Sequence, residues 1–552
     1  MLGDLISDFD AGRFWAAIAQ ARRSDRTDDP VRTYVHERGL RFLVQTRQGM
    51  SLDRLRGLIR EAWGAQAERD VLEVESLFQP VPDTQTPEHL AVFSLVSIRD
   101  VDLGAMDFNP YDACYALMRH PDIASVEPDL PFLGNSDRGL TGRKGKAQPS
   151  PIDKAWALRQ MRVDMAWQRV PPNGGRSQGA GIKVAHLDTG WTDHEDLDQV
   201  NFSTSGIADF IGGGNGDGRD PMTGAPLLNP GHGTRTGSVI MSRGGISPHD
   251  TTTPGQITGV APESIYVPKR CIRSVVVVYG GDIARAIWHA TTTDCHVVSM
   301  SLGGFPSRAL RTAIQDAVAN HLIVVAAAGN KVPRRMVVWP AAYPECLAVA
   351  ANNAQLEPWD LSSRGRAVDL CAPGVNVWVA EPINAPAGIN TGSGTSYATA
   401  HTAGVAALWL AFFDRSAMLK SLRPGVFMQE VFREHVRRTA QVPHGWMSSR
   451  YGAGIVDTDA LLTSRPAASV RLGFGPPKHP SLLGCPLPSW LSRRFMMAAS
   501  GRYSSLLPVF ENELNSIALL DGHPMLGDHA DAKSTFGPSS LSQALKRWLR
   551  VG

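Results

Sequence analysis

The stretch Thr391-Gly392-Ser393-Gly394-Thr395-Ser396-Tyr397-Ala398-Thr399-Ala400-His401 decides how the rest of the chain is read. Small residues lead up to a serine. A nearly side-chain-poor apolar segment follows through Ala403, Gly404, Val405, Ala406, Ala407 and Leu408. That pattern predicts a helix able to run through a crowded core. Its first turn would carry unpaired backbone N–H groups and the positive end of the helix dipole. A serine there has its hydroxyl beside a ready anion site. A serine that merely caps a buried helix gives the same pattern, so this stretch alone leaves two readings open.

Three further motifs bear on the choice. Ile182-Lys183-Val184-Ala185-His186-Leu187-Asp188-Thr189-Gly190 is a short apolar run ending in a carboxylate, as expected of a buried parallel strand. In open α/β sheets the carboxyl ends of the strands are where sites form. Gly231-His232-Gly233-Thr234 sets a histidine between two glycines at the start of a small-residue helix. Leu322-Ile323-Val324-Val325-Ala326-Ala327-Ala328-Gly329-Asn330 is an apolar strand ending in Gly-Asn. A serine nucleophile needs a base, and the base needs an acid that fixes its tautomer. Asp188, His232 and Ser396 supply these, and the Asn330 amide is a candidate oxyanion donor beside the Ser396 N–H.

The chain order Asp, His, Ser is that of subtilisin, and the chain resembles the subtilase family of serine endopeptidases. The resemblance rests on Asp188-Thr189-Gly190 with His194-Glu195-Asp196-Leu197, Gly231 to Thr234, Ser301-Leu302-Gly303-Gly304, Ala328-Gly329-Asn330, Ala372-Pro373-Gly374, Gly394-Thr395-Ser396, and Tyr451-Gly452-Ala453-Gly454-Ile455-Val456-Asp457. It implies a three-layer α/β fold with a mostly parallel central sheet over residues 153–464. It also implies an Asp188–His232–Ser396 triad, Asn330 in the oxyanion hole and an acyl-enzyme intermediate. Ser301, Leu302, Gly303, Ala328 and Gly329 would bind the substrate. Ala400 stands where the family usually has proline, which removes no chemical group. Val338 stands near a position that is glycine in many relatives, which predicts a shallow primary pocket. Lys331, Arg334 and Arg335 instead raise a preference for an acidic side chain.

Before this region, the elements read β-α-β-β-α-β: strands at Leu40–Gln45, Leu72–Phe78, Leu90–Ile98 and Ile123–Asp129, with helices at Leu52–Trp63 and Tyr111–Met118. Residues 31–132 therefore predict a small α+β, ferredoxin-like domain. Its closing Val126-Glu127-Pro128-Asp129 resembles the end of a subtilase propeptide, which implies an intramolecular inhibitor and a zymogen. Residues 133–152 read as a cleavable linker. Residues 1–30 read as a helical and polar extension, and residues 465–552 as an extension of unassigned role. Within the latter, Leu541, Leu545, Trp548 and Leu549 share one helix face, which predicts docking on the protein's own surface.

Bulk properties narrow the class. A net charge of +2 on 552 residues gives no electrostatic case for nucleic acid. No run approaches the ~20 apolar residues of a membrane span. The acids in Met1–Asp10 do not fit a secretory leader, so a cytoplasmic location is expected. The cysteines Cys114, Cys271, Cys295, Cys346, Cys371 and Cys485 are scattered, which predicts free buried thiols. No cofactor is expected for the chemistry. The loop Gly212–Asp220 leaves room for a structural calcium without naming its ligands. The competing reading is a peptide-binding scaffold on a protease fold; intact Asp188, His232, Ser396 and Asn330 favour an active endopeptidase acting on polypeptides.

Overall fold

The computed structural model describes residues 9–23, 30–64, 72–80, 84–133, 153–172, 174–212, 216–222, 229–244, 257–275, 277–330, 336–383, 388–466, 507–520 and 541–549. The N-terminal part runs α1 (Ala11–Arg22), α2 (Pro30–Arg38), β1 (Leu40–Thr46), α3 (Leu52–Trp63), β2 (Leu72–Ser76), β3 (Phe93–Ile98), α4 (Pro110–Leu117) and β4 (Ile123–Pro128). Its antiparallel sheet has the order β2-β3-β1-β4, the arrangement a split βαβ pattern produces. Ser51 caps α3 by accepting the Arg54 N–H, and Leu55, Leu58, Ile59 and Trp63 lie on its buried side. Helix α1 buries Phe14, Trp15 and Ile18 in the same core, and the Trp15 indole donates to the Trp63 carbonyl at 2.6 Å. The strand expected from Leu90 starts only at Phe93. Pro87 leads into a helical turn over Glu88–Ala91, with Leu90 N–H and Ala91 N–H both donating to its carbonyl.

The rest of the chain is built on one large sheet. After β5 (Phe132–Leu133), which closes the N-terminal part, its longer helices and its strands are, in chain order, β6 (Lys183–Asp188), β7 (Asn201–Phe202), β8 (Ala208–Asp209), α5 (His232–Met241), β9 (Ile265–Arg270), β10 (Val277–Val278), α6 (Gly280–Thr292), β11 (Val297–Met300), α7 (Arg308–Ala319), β12 (Ile323–Ala327), β13 (Leu347–Asn352), β14 (Leu370–Pro373), β15 (Val377–Ala380), β16 (Ile389–Gly392), α8 (Thr395–Phe412), α9 (Met428–Arg438), α10 (Leu507–Leu520) and α11 (Gln543–Leu549). The sheet order is β14-β13-β12-β11-β6-β9-β7, with β8 also beside β9 and every pairing parallel. Strands β11, β12 and β13 are buried along their whole length, which is why they read as continuous apolar runs.

Two features of this sheet position the site. The chain leaves β6 for β9 on one side and later adds β11 on the other, so the order reverses around β6. A crevice opens at the carboxyl ends of strands where such a reversal occurs. Helix α8, all of whose residues are buried, packs across β11 to β14 and against α5. A Cβ at Gly404 would lie 2.6 Å from Val260 Cβ, so glycine is what lets the helix approach this closely there.

Candidate active site

Asp188 is the last residue of β6, at the reversal. Ser301 follows the last residue of β11, and the β6–β11 register sets Leu187 opposite Met300. Ser301 therefore stands beside Asp188 at the carboxyl end of two central strands. His232 opens α5, whose start closes tightly on the turn after β6. A Cβ at Gly233 would lie 2.0 Å from the Gly190 carbonyl oxygen, so only glycine lets the two segments meet. The result is a hydrogen bond of 2.7 Å between His232 Nδ1 and Asp188 Oδ1, both residues wholly buried.

Ser396 is the second residue of α8, in the turn whose N–H groups have no partner within the helix. Its hydroxyl lies 3.4 Å from the Ser301 carbonyl, and the Ser301 hydroxyl donates to the Ser396 carbonyl at 2.9 Å. The serine is thus tied to the strand end neighbouring Asp188. Asn330 lies just past β12. Its side-chain oxygen accepts both the Thr395 N–H at 2.9 Å and the Thr395 hydroxyl at 2.8 Å. The Asn330 side chain is thereby tied to the residue that precedes Ser396. Gly329 N–H donates to the Thr395 hydroxyl at 3.2 Å, which fixes the other side of the same junction.

Ser301, Leu302 and Ala328 are buried, and Gly303 and Gly329 are half-buried. Gly304 N–H donates to the Trp339 carbonyl, and Val338 N–H to the Ala328 carbonyl. These bonds bring the Ser301–Gly304 and Ala328–Gly329 segments together on either side of Val338. A Cβ at Gly303 would fall 2.3 Å from Val338 Cγ2, so the valine side chain stands directly on Gly303. Lys331, Arg334 and Arg335, which raised an acidic preference, lie outside the described residues.

Burial would push the Asp188 carboxyl up, but the charge and hydrogen bond of His232 outweigh it, with smaller help from the Thr189 N–H. The carboxyl is held below its ordinary range and stays ionised. Sequence reasoning missed what lies behind it. The Thr236 hydroxyl is 3.2 Å from Asp188 Oδ2 and 3.0 Å from the His232 carbonyl oxygen. His186 Nε2 is 3.0 Å from that hydroxyl, and His186 Nδ1 is 2.9 Å from the Tyr266 hydroxyl. Burial lowers His186 to about 4, so it is neutral. A neutral imidazole satisfies this geometry by accepting from Tyr266 at Nδ1 and donating to Thr236 at Nε2. The only sequence signal was a histidine at a position in an otherwise apolar strand.

A second missed element is Val277-Val278. Strand β5 pairs with it antiparallel, Val277 opposite Leu133 and Val278 opposite Phe132. The Phe132 ring meets Phe305 edge-on at 5.4 Å, and a Cβ at Gly304 would lie 3.8 Å from Phe132 Cβ. A piece of the N-terminal part thus lies beside the Ser301–Gly304 segment. Leu133, expected in a flexible linker, instead pairs with Val277 in this strand, and residues 134–152 lie outside the described residues.

Among the described residues no group of three or more potential ligands gathers as a metal site. In the loop Gly212–Asp220, residues 213–215 lie outside the description, while the Asp220 carboxylate accepts Met222 N–H and Gly231 N–H. Cys114, Cys271, Cys295, Cys346 and Cys371 are free and buried; Cys485 is outside the described residues. No described helix is long and apolar enough to cross a membrane.

Residues 179–454 match the family described as the Subtilase family. The M-protease of Shouchella clausii (strain KSM-K16) is 31% identical over 375 residues, covering 68% of this chain and 81% of the relative. Subtilisin BL of Lederbergia lenta is 32% identical over 292 residues, 51% of this chain and 91% of its own. The major intracellular serine protease of Bacillus subtilis (strain 168) is 33% identical over 277 residues, 48% of this chain and 77% of its own.

Proposed function

The chain belongs to the subtilase family of serine endopeptidases, and on that premise we propose that Asp188, His232 and Ser396 are its triad and Asn330 its oxyanion donor. Subtilases need no cofactor for this reaction. In the proposed sequence His232 takes the Ser396 proton as the hydroxyl attacks the scissile carbonyl. Asp188 holds Nδ1–H and stabilises the imidazolium. The Asn330 amide and Ser396 N–H donate to the oxyanion. The imidazolium then protonates the leaving amine, and water, deprotonated by His232, releases the acyl group. The 2.7 Å Asp188–His232 bond at the reversal of the sheet carries the assignment. Ser301, Leu302, Gly303, Ala328 and Gly329 would hold the substrate, and Val338 would restrict the primary pocket to small side chains. A fluorophosphonate should label the processed enzyme but not Ser396→Ala; labelling of both would overturn the assignment of the nucleophile.

The protein is also, in this reading, a zymogen inhibited by its own N-terminal region. The supporting observation is β5, which occupies the edge of β10 as a bound peptide would, by strand addition. Further contacts hold it there. Glu127 accepts the Arg308 N–H at 2.8 Å at the start of α7, and Asp129 accepts the Gly281 N–H at 3.1 Å at the start of α6. The helix N-termini offset part of the cost of burying these carboxyls, both of which burial nonetheless pushes up. The Arg41 guanidinium bridges to Asp282 with two bonds of 3.0 Å. Comparing the masses of purified wild type and Ser396→Ala tests self-processing within residues 134–152. Identical intact chains would refute it while leaving proteolysis of other proteins standing. The relative named an intracellular protease accords with a cytoplasmic site of action, which fractionation would check.

A further inference from the structure

The C-terminal segments α10 and α11 lie on the N-terminal region as well as on the protease. Phe510 and Leu514 of α10 and Leu545 of α11 are fully buried. They share one apolar cluster with Leu77, Phe93, Leu95, Tyr111 and Tyr115 of the N-terminal part and with Leu310 and Ile314 of α7. The Phe510 ring meets Tyr115 edge-on at 5.3 Å. Three stretches far apart in sequence thus close one core.

The polar contacts are equally specific. The Tyr111 hydroxyl donates to Asn512 Oδ1 at 2.6 Å, and Tyr115 donates to Glu513 Oε2 at 2.9 Å. The Asn512 amide donates to the Pro306 carbonyl at 2.7 Å and also bonds Glu127, the residue at the start of α7. One asparagine therefore touches α4, the end of β4 and the protease loop bordering Phe305. Glu513 in turn accepts the Ser542 N–H at 2.7 Å and its hydroxyl at 2.8 Å, and Asp112 accepts the Gln543 N–H at 2.8 Å. These bonds secure α11 beside α4.

We infer that the C-terminal extension is a clasp that holds the inhibitory N-terminal region on the protease, so that release requires the clasp to open. The inference rests on the zymogen reading above. Its partner surface is the α4 face carrying Tyr111, Asp112 and Tyr115 together with the Pro306 loop. Breaking it should leave the triad untouched while loosening β5 from the cleft.

The test uses full-length chains and the initial rate of fluorophosphonate labelling at Ser396. Phe510→Asp drives a charge against Tyr115. The milder Tyr111→Phe/Tyr115→Phe pair removes the hydroxyls and keeps the rings, so that a folding defect in the first variant does not decide the matter. Phe132→Asp dislodges β5 directly and serves as the reference for release. If the clasp exists, Phe510→Asp or the tyrosine pair speeds labelling at least about tenfold, and amide exchange in β4 and β5 rises with it. Fast labelling with Phe132→Asp alone would overturn the clasp and leave self-inhibition standing. No acceleration in any variant would overturn self-inhibition and the clasp together.

Discussion

Asp188 and Glu513 are both wholly buried carboxylates, and they resolve burial in opposite directions. At Asp188 the neighbouring imidazole outweighs desolvation, so the group stays charged. At Glu513 the donors are neutral, and burial pushes the carboxyl up to about 7. Glu127, with Arg308 close by, is likewise pushed to about 7 by burial, and Asp112 to about 6. The first site is built to hold a charge whatever the ordinary pH. The seam between the N-terminal region, the protease and the C-terminal helices is built from carboxyls that change charge near neutrality. The proposed reaction and the proposed restraint thus rest on opposite treatments of the same functional group.

The comparison breaks most visibly at its charged end. Asp188→Asn should lower kcat of the processed enzyme by about 10⁴-fold, because the amide favours the wrong His232 tautomer; a loss below tenfold would remove Asp188 from the triad. Asn330→Ala should cost about 10²–10³-fold in kcat with KM nearly unchanged, read by steady-state hydrolysis of a chromogenic peptide. Thr236→Val removes a hydroxyl shared between Asp188 and the His232 carbonyl. A hydrogen bond to a charged group is worth about 1.5–3 kcal/mol, so kcat should fall roughly tenfold or more. Rescue by Thr236→Ser would separate this positioning role from mere packing.

The seam supplies the smallest and most diagnostic effect. A carboxyl raised by docking binds its proton more tightly docked than free. Docking is then strongest below the free value, near ~4.3, and weakens as pH rises to about 7. Labelling of the full chain, normalised to Phe132→Asp, should therefore speed up several-fold between about pH 5 and 8. Glu513→Gln, neutral throughout, should flatten that rise. Glu513 is faced by Tyr111, Asp112, Cys114 and Tyr115, and Glu127 by Arg308, Glu511, Tyr111, Cys114 and Tyr343. Loss of the rise only when both Glu513 and Glu127 are neutralised would assign it to the pair rather than to Glu513.

Asp188, His232, Ser396 and Asn330 could be proposed from sequence because each sits where an apolar or small-residue run meets glycine, a local pattern that survives without a fold. Val338 was legible as a bulky residue near a family glycine, and its position against Gly303 supports a shallow pocket. Thr236 and His186 were not legible. A threonine one turn into a helix and a histidine inside a strand acquire meaning only when α5 packs on β6. The short turn at Glu88–Ala91 was hidden because Leu90 is as buried as a strand residue would be. The amphipathic C-terminal helix announced that it docks, but an apolar face does not name the surface it covers.

The sequence by itself determined the proposed chemistry: a candidate acid, base, nucleophile and amide, each at the end of a segment whose apolar period or small residues dictate a strand or helix. Tertiary structure alone decided the contacts from which control of that chemistry is proposed. Packing brought Phe132 to the edge of β10, Glu127 to the start of α7 and Asn512 between Tyr111 and the Pro306 loop, across separations of more than a hundred residues. Periodicity reports which face of a segment is buried. It carries no information about which distant face lies opposite, and that pairing set the carboxyl environments on which the restraint depends.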